Sequence, residues 1–64
     1  MTDYEIAAVL AERVAILGLT PLRFGAESGR VWVAVSAHAK SYGATFVAAC
    51  LAWLEAHPAP VEGA

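Results

Sequence analysis

The sequence predicts a small α+β fold in the order helix, two-stranded antiparallel hairpin, helix (αββα), with both helices on one face of the ribbon. Residues 3–17 and 41–57 are long apolar segments with the length of helices. Between them, residues 22–24 and 31–36 are short runs with period-two alternation, separated by a turn-like stretch. Two strands alone are weak, so we expect the helices to cover the apolar face of the ribbon.

The length sets the domain organisation. The chain has 64 residues, which is enough for one small domain. We assign this αββα domain to residues 1–57. Two prolines in residues 58–64 cannot continue a helix, so we expect a disordered tail there.

The first helix carries its own start and stop signals. Thr2 and Glu5 have the spacing of a capping box, in which each side chain bonds the backbone of the other residue. Gly18 follows Leu17 and suits the left-handed position after a helix end. We therefore expect a helix from about residue 3 to Leu17.

The buried face of this helix stays open between two orientations. One buries the arc of Tyr4, Ala7, Ala8, Leu10, Ala11, Val14, Ala15 and Leu17. It leaves Val9 and Ile16 as an apolar bar among charged side chains. The other orientation buries Val9 and Ile16 and lets the Arg13 side chain run along the edge of the core.

The predicted hairpin has a preferred register. Gly29 is the expected residue with positive φ in the turn. A two-residue loop at residues 27–28 with a bulge at Gly29 pairs Phe24 with Val31. It likewise sets Leu22 opposite Val33, so that both apolar patterns share one face.

The opposite face of the ribbon shows Trp32 across from Arg23. Such a pair can form a cation–π contact on the surface. Tryptophan is also enriched at the energetic centres of protein interfaces, so a partner or a second ribbon is the other interpretation.

The last helix is expected to begin near Ser41, with Ser36 or Ser41 as N-cap, and to end at His57 before Pro58. One half of it carries large side chains and the other small ones. Its alanines at positions 44, 48, 52 and 56 form a stripe. That stripe either packs closely on another helix or faces solvent.

Composition excludes several function classes. Hydrophobic residues make up 59% of the chain and charged residues 16%, and the net charge is -2. The apolar excess favours self-association or a stable partner, whereas the lack of clustered Lys and Arg makes nucleic-acid binding an unfavoured alternative. The acidic start does not resemble a signal peptide, and Lys40 interrupts the most apolar stretch, so we expect a cytoplasmic protein without a membrane span.

Few residues are suited to catalysis or metal binding. Cys50 and His57 would lie about 10 Å apart along a helix, beyond hydrogen-bond reach. No Cys or His pair has the spacing of a metal site. We therefore expect no enzyme activity, no cofactor and no metal, and a lone Cys50 buried as a small apolar residue.

The function we predict is protein–protein interaction: a module that homodimerises or docks on a larger complex. The predicted contact residues are Trp32, Arg23, Val9, Arg13 and Ile16. One alternative is an anion or small-molecule site at the start of the last helix, formed by His38, Lys40 and Ser41. Another is a nucleic-acid-binding ribbon formed by Arg23, Arg30 and Trp32. In size and composition alone, the chain resembles accessory proteins of bacteria and phages, including small inhibitors of host systems.

Overall fold

The computed structural model describes residues 1–19 and 21–60. The described elements are α1 (Asp3–Leu17), β1 (Leu22–Glu27), β2 (Arg30–Val35), β3 (Ser41–Gly43) and α2 (Phe46–Ala56). The strands form one antiparallel sheet in the order β1-β2-β3. The predicted α+β class is confirmed, but the ribbon has a third strand. Residues 61–64 of the predicted tail lie outside the described residues.

Both ends of α1 follow the sequence signals. The Thr2 hydroxyl accepts a hydrogen bond from the Glu5 backbone at 3.1 Å, and the Glu5 carboxylate accepts one from the Thr2 backbone at 3.0 Å. Gly18 has φ 67°, the left-handed conformation that terminates the helix.

The orientation of α1 lies between the two alternatives. Val9 and Ile16 are 38% and 56% exposed, so neither belongs to the core. The predicted arc was wrong at Tyr4, which is 90% exposed, and at Ala8, Ala11 and Ala15, which are also exposed. It omitted Ile6, which is fully buried. The core-facing row is Ile6, Leu10 and Val14, whose spacing of four residues keeps them on one face.

The hairpin register differs from the prediction by two residues. Phe24 pairs with Val33 and not with Val31. The cause is the turn, in which Ser28 and Gly29 both have positive φ, at 52° and 75°, as a two-residue hairpin loop of type I′ requires. A shift of two preserves the alternation, so Phe24 still shares a face with the valines.

The segment predicted to start the second helix is a strand. β3 pairs with β2, with Tyr42 opposite Trp32, and α2 begins only after Thr45, whose hydroxyl accepts from the Ala48 backbone at 3.1 Å. Ser36 and Ser41 are therefore not its N-cap. A Cβ on Gly43 would overlap the Ala49 backbone nitrogen, so glycine is what allows α2 to lie this close to β3.

The described core joins both helices to the central strand. Its fully buried large side chains are Trp53, Ile6, Leu10, Val33, Val35 and Cys50. α2 packs on β2 and β3, whereas α1 packs chiefly on α2. The prediction that both helices lie on one face of the ribbon is therefore not matched, because α1 is held mainly by α2. β1 extends beyond the area that α2 covers. Within the described residues, no helix is both long and apolar enough to cross a membrane.

Candidate interaction surface

The outer edge of β1 presents unpaired backbone groups. Glu27 and Arg30 flank the two-residue turn and form its closing hydrogen-bonded pair. Because such pairs alternate along an antiparallel ladder, the N–H and C=O groups of Leu22, Phe24 and Ala26 point away from β2. The bond from Ser36 N to Pro21 O, at 2.8 Å, fits the same alternation. Among the described strands, none lies on that side of β1.

Apolar surface adjoins this edge on the helix side of the sheet. Phe24 is 45% exposed, although it lies on the face that carries the core valines. Its ring meets the ring of Phe46 at a centroid distance of 5.1 Å. The two rings form a partly exposed apolar patch beside the edge, and a strand added to β1 would cover this patch.

On the outer face of the sheet, the indole of Trp32 lies across β1. A Cβ on Gly25 would overlap the indole of Trp32, so the indole occupies the space that a side chain at position 25 would fill. The predicted cation–π partner was wrong: Arg23 pairs with Ala34. The Lys40 ammonium lies over the Trp32 ring instead, 4.3 Å from its centroid.

A polar cluster on the same face connects the two outer strands. The Tyr42 hydroxyl donates to Oε1 of Glu27 at 2.6 Å, and Lys40 Nζ lies 3.4 Å from the same oxygen. The Tyr42 bond, followed by the charge of Lys40, lowers the pKa of the Glu27 carboxyl. The Tyr42 pKa is raised by its bond to Glu27, and the Arg30 guanidinium lies 4.2 Å from the centre of the Tyr42 ring.

The structure does not support the predicted anion site at the start of the last helix. Lys40 is engaged with Glu27 and Trp32, and Ser41 belongs to β3. The helix that was expected to offer its N-terminus to the anion begins only at Phe46. His38, Lys40 and Ser41 therefore do not lie at a helix start, which was the physical basis of that hypothesis.

The Arg13 side chain donates hydrogen bonds to the backbone of α2 in the same chain. Its Nη1 donates to the carbonyl oxygens of His57 at 2.7 Å and Leu54 at 3.3 Å. These oxygens lie at the C-terminal end of α2, where a cation also opposes the helix dipole. The His57 ring stacks on Trp53 at 4.2 Å and meets His38 at 4.9 Å. One of the two predicted orientations of α1 placed Arg13 at the edge of the core, but the sequence did not reveal these acceptors.

The predicted contact residues lie on separate surfaces. Val9 and Ile16 are on the exposed side of α1, and Arg23 and Trp32 are on the outer face of the sheet. A shallow depression of about 420 Å³ beside Asp3, Tyr4, Ala7 and Ala8 adds to the apolar surface of α1. Phe24 was not among the predicted contacts. Proximity to the turn does not identify β1 as the edge, because the central strand β2 flanks the same turn.

Cys50 is fully buried. Burial, together with the charge of Asp3, raises the pKa of its thiol to about 11. In the described part of the chain, no group of three or more His, Cys, Asp or Glu side chains is placed to hold a metal ion.

No family model, curated protein or solved structure matches this chain.

Proposed function

We propose that this chain is a non-enzymatic protein-interaction module that forms a homodimer by joining the β1 edges of two copies. The observation that carries the proposal is the unpaired edge of β1 with half-exposed Phe24 beside it. An open, partly apolar strand edge is a template for pairing with another chain.

A symmetric contact uses the same surface twice. Antiparallel pairing of β1 with β1 of a second copy joins two three-stranded sheets into one of six strands. It supplies hydrogen-bond partners to backbone groups along the outer edge of β1, including those of Phe24 and Ala26, and it brings the two Phe24–Phe46 pairs together. The other edge, β3, has only three residues, so it offers less to a partner.

The cellular setting is part of the same proposal. A lone buried thiol, Cys50, suits a reducing compartment, so we place the protein in the cytoplasm. We propose an accessory or inhibitory role in a bacterium or phage, in keeping with the small size and apolar composition of the chain.

Sedimentation of the full chain tests the proposal. We expect a reversible monomer–dimer equilibrium at micromolar concentrations. Phe24→Asp should shift it to monomer, because a carboxylate would be buried against the second copy. Leu51→Asp is the matched control, since Leu51 is 48% exposed on α2 and should leave the dimer intact. Monomer at every concentration, or equal effects of both variants, would contradict the proposal.

A second candidate is favoured by one observation. Arg23 and Arg30 lie on the outer face of the sheet, where Lys40 reaches over Trp32. This group contains all but one of the chain's four Lys and Arg residues. Single-stranded nucleic acid binds such aromatic and basic surfaces. An oligothymidine titration at low salt, followed by tryptophan fluorescence in the wild type and in Trp32→Phe, distinguishes this activity from protein association. The net charge of -2, together with the cations already covering Trp32 and Tyr42, makes it the weaker candidate.

A further inference from the structure

We infer that the second copy docks with Gly25 opposite Gly25, so that Arg23 of each copy faces Glu27 of the other. This inference rests on the proposed function and names the register of its interface.

The faces of the two sheets restrict the register. For the helices of both copies to lie on the same side of the joined sheet, paired residues must both be odd-numbered or both even-numbered. The backbone groups of Phe24 and Ala26 point outwards. With Gly25 opposite Gly25, Phe24 of one copy and Ala26 of the second copy therefore form a hydrogen-bonded pair. This occurs twice by symmetry and yields about four backbone hydrogen bonds at the edge.

Charge complementarity selects among the allowed registers. Arg23 and Glu27 lie on the outer face, equally far from Gly25 along β1 and on opposite sides of it. With the glycines opposed, each Arg23 lies directly across from Glu27 of the second copy, and cross-strand pairs of opposite charge stabilise a sheet. Sliding by one pairing step to set Phe24 opposite Phe24 would place Glu27 across from Pro21 and Arg23 across from Gly25. Neither charge would then have an oppositely charged residue across the joint.

One carboxylate oxygen of Glu27 can accept hydrogen bonds from Arg23 of the second copy. The contacts of Glu27 with Tyr42 and Lys40 both go to Oε1. Oε2 is therefore available to a guanidinium from the second copy, as far as the described residues extend. Arg23 is exposed and lies opposite Ala34 on its other side, so the side chain is free to turn towards the edge.

Steric fit agrees with the charges. On the outer face, the absence of a side chain at Gly25 lets each Trp32 indole lie over the edge strand. Paired glycines would bring the two indoles towards each other across the joint. On the helix side, Phe24 would lie opposite the small Ala26 of the second copy, so a large side chain meets a small one.

Charge reversal in the full chain tests the register. Arg23→Glu and Glu27→Arg should each raise the dimer Kd at least about tenfold, which is about 1.4 kcal/mol, because like charges would then face each other. The double variant should bring Kd back to within about threefold of the wild type, since it recreates the pairs in reversed order. Thermal melts of diluted monomer check that each variant folds.

A cross-link provides a second measurement. The double variant Arg23→Cys/Glu27→Cys should form a covalent dimer with oxidised glutathione, because non-hydrogen-bonded cross-strand Cα atoms lie about 4.5 Å apart. The two sites within one copy are about 13 Å apart along the strand and cannot join. Arg23→Cys alone is the control and should stay uncross-linked.

The outcomes separate the two proposals. A wild-type dimer whose affinity is not recovered by the double reversal, or which does not cross-link, overturns the register and leaves self-association standing. A wild-type chain that stays monomeric, or that associates only with a different protein, overturns both.

Discussion

The indole of Trp32 on β2 lies against Gly25 on β1, at a place where a Cβ on residue 25 would overlap the ring. This pair determines how the outer face of the sheet is packed. It also keeps a large aromatic side chain half-buried without a helix above it.

Gly25→Ala should therefore destabilise the protein by about 1–3 kcal/mol, the range for overpacking a well-filled site. The cost should largely disappear in a Trp32→Ala background, where the ring is absent. Urea denaturation of the wild type, the two single variants and the double variant measures this coupling. An equal cost of Gly25→Ala in both backgrounds would show that the ring is not what position 25 must accommodate.

Arg13→Leu should lower the free energy of unfolding by about 1.5–3 kcal/mol, because it removes charged hydrogen bonds to the carbonyls of Leu54 and His57. Arg13→Lys should recover only part of this stability, since an ammonium lacks the planar fork of guanidinium. Glu12→Gln, an exposed neighbour on α1, should stay within about 0.5 kcal/mol of the wild type. If Arg13→Leu behaved like Glu12→Gln, Arg13 would not stabilise the end of α2.

Acidification should weaken the contact between Glu27 and Tyr42. The folded-state pKa of Glu27 is below its ordinary value of 4.5, so its stabilising contribution is present above that pH and is lost as pH falls through the folded pKa. In Tyr42→Phe, the Glu27 pKa should rise towards 4.5, because the hydroxyl donor has been removed. Carboxyl ¹³C shifts across a pH titration measure this, and an unchanged Glu27 titration would disprove the stated cause.

Cys50 should resist thiol reagents in the native protein. Its side chain is fully buried and its pKa is raised to about 11, so at pH 8 both access and thiolate formation are disfavoured. An aromatic disulfide reagent should label it slowly in buffer and within seconds in concentrated urea. Rapid labelling without denaturant would indicate that the core opens around α2.

Several local features could be predicted from the sequence because the residues that form them are close along the chain. Thr2, Glu5 and Gly18 specify the two ends of α1 by side-chain and backbone bonding within a few residues. The positive φ of Gly29 was predicted correctly. Ser28 shares that conformation, which is uncommon outside glycine; this is why the turn was placed one residue too early and the register two residues off.

The candidate surface was less predictable. Exposure of Val9 and Ile16 was one of two open alternatives, and their part in binding remains a prediction. Phe24 was expected under the helices with Leu22. Its exposure depends on where α2 lies across the sheet, which no local pattern specifies.

The order helix, hairpin, helix and both ends of α1 follow from the sequence, since capping, turn chemistry and side-chain alternation act between near neighbours. That Ser41–Gly43 is a strand, and that α2 covers β1 only in part, depends on contacts between residues far apart in the chain. The physical reason is that α2 is short and can cover only part of the apolar face of the sheet. β2 gains a hydrogen-bonded partner in β3, and Gly43 lets α2 approach closely there. With α2 placed over β2 and β3, the helix covers less of β1.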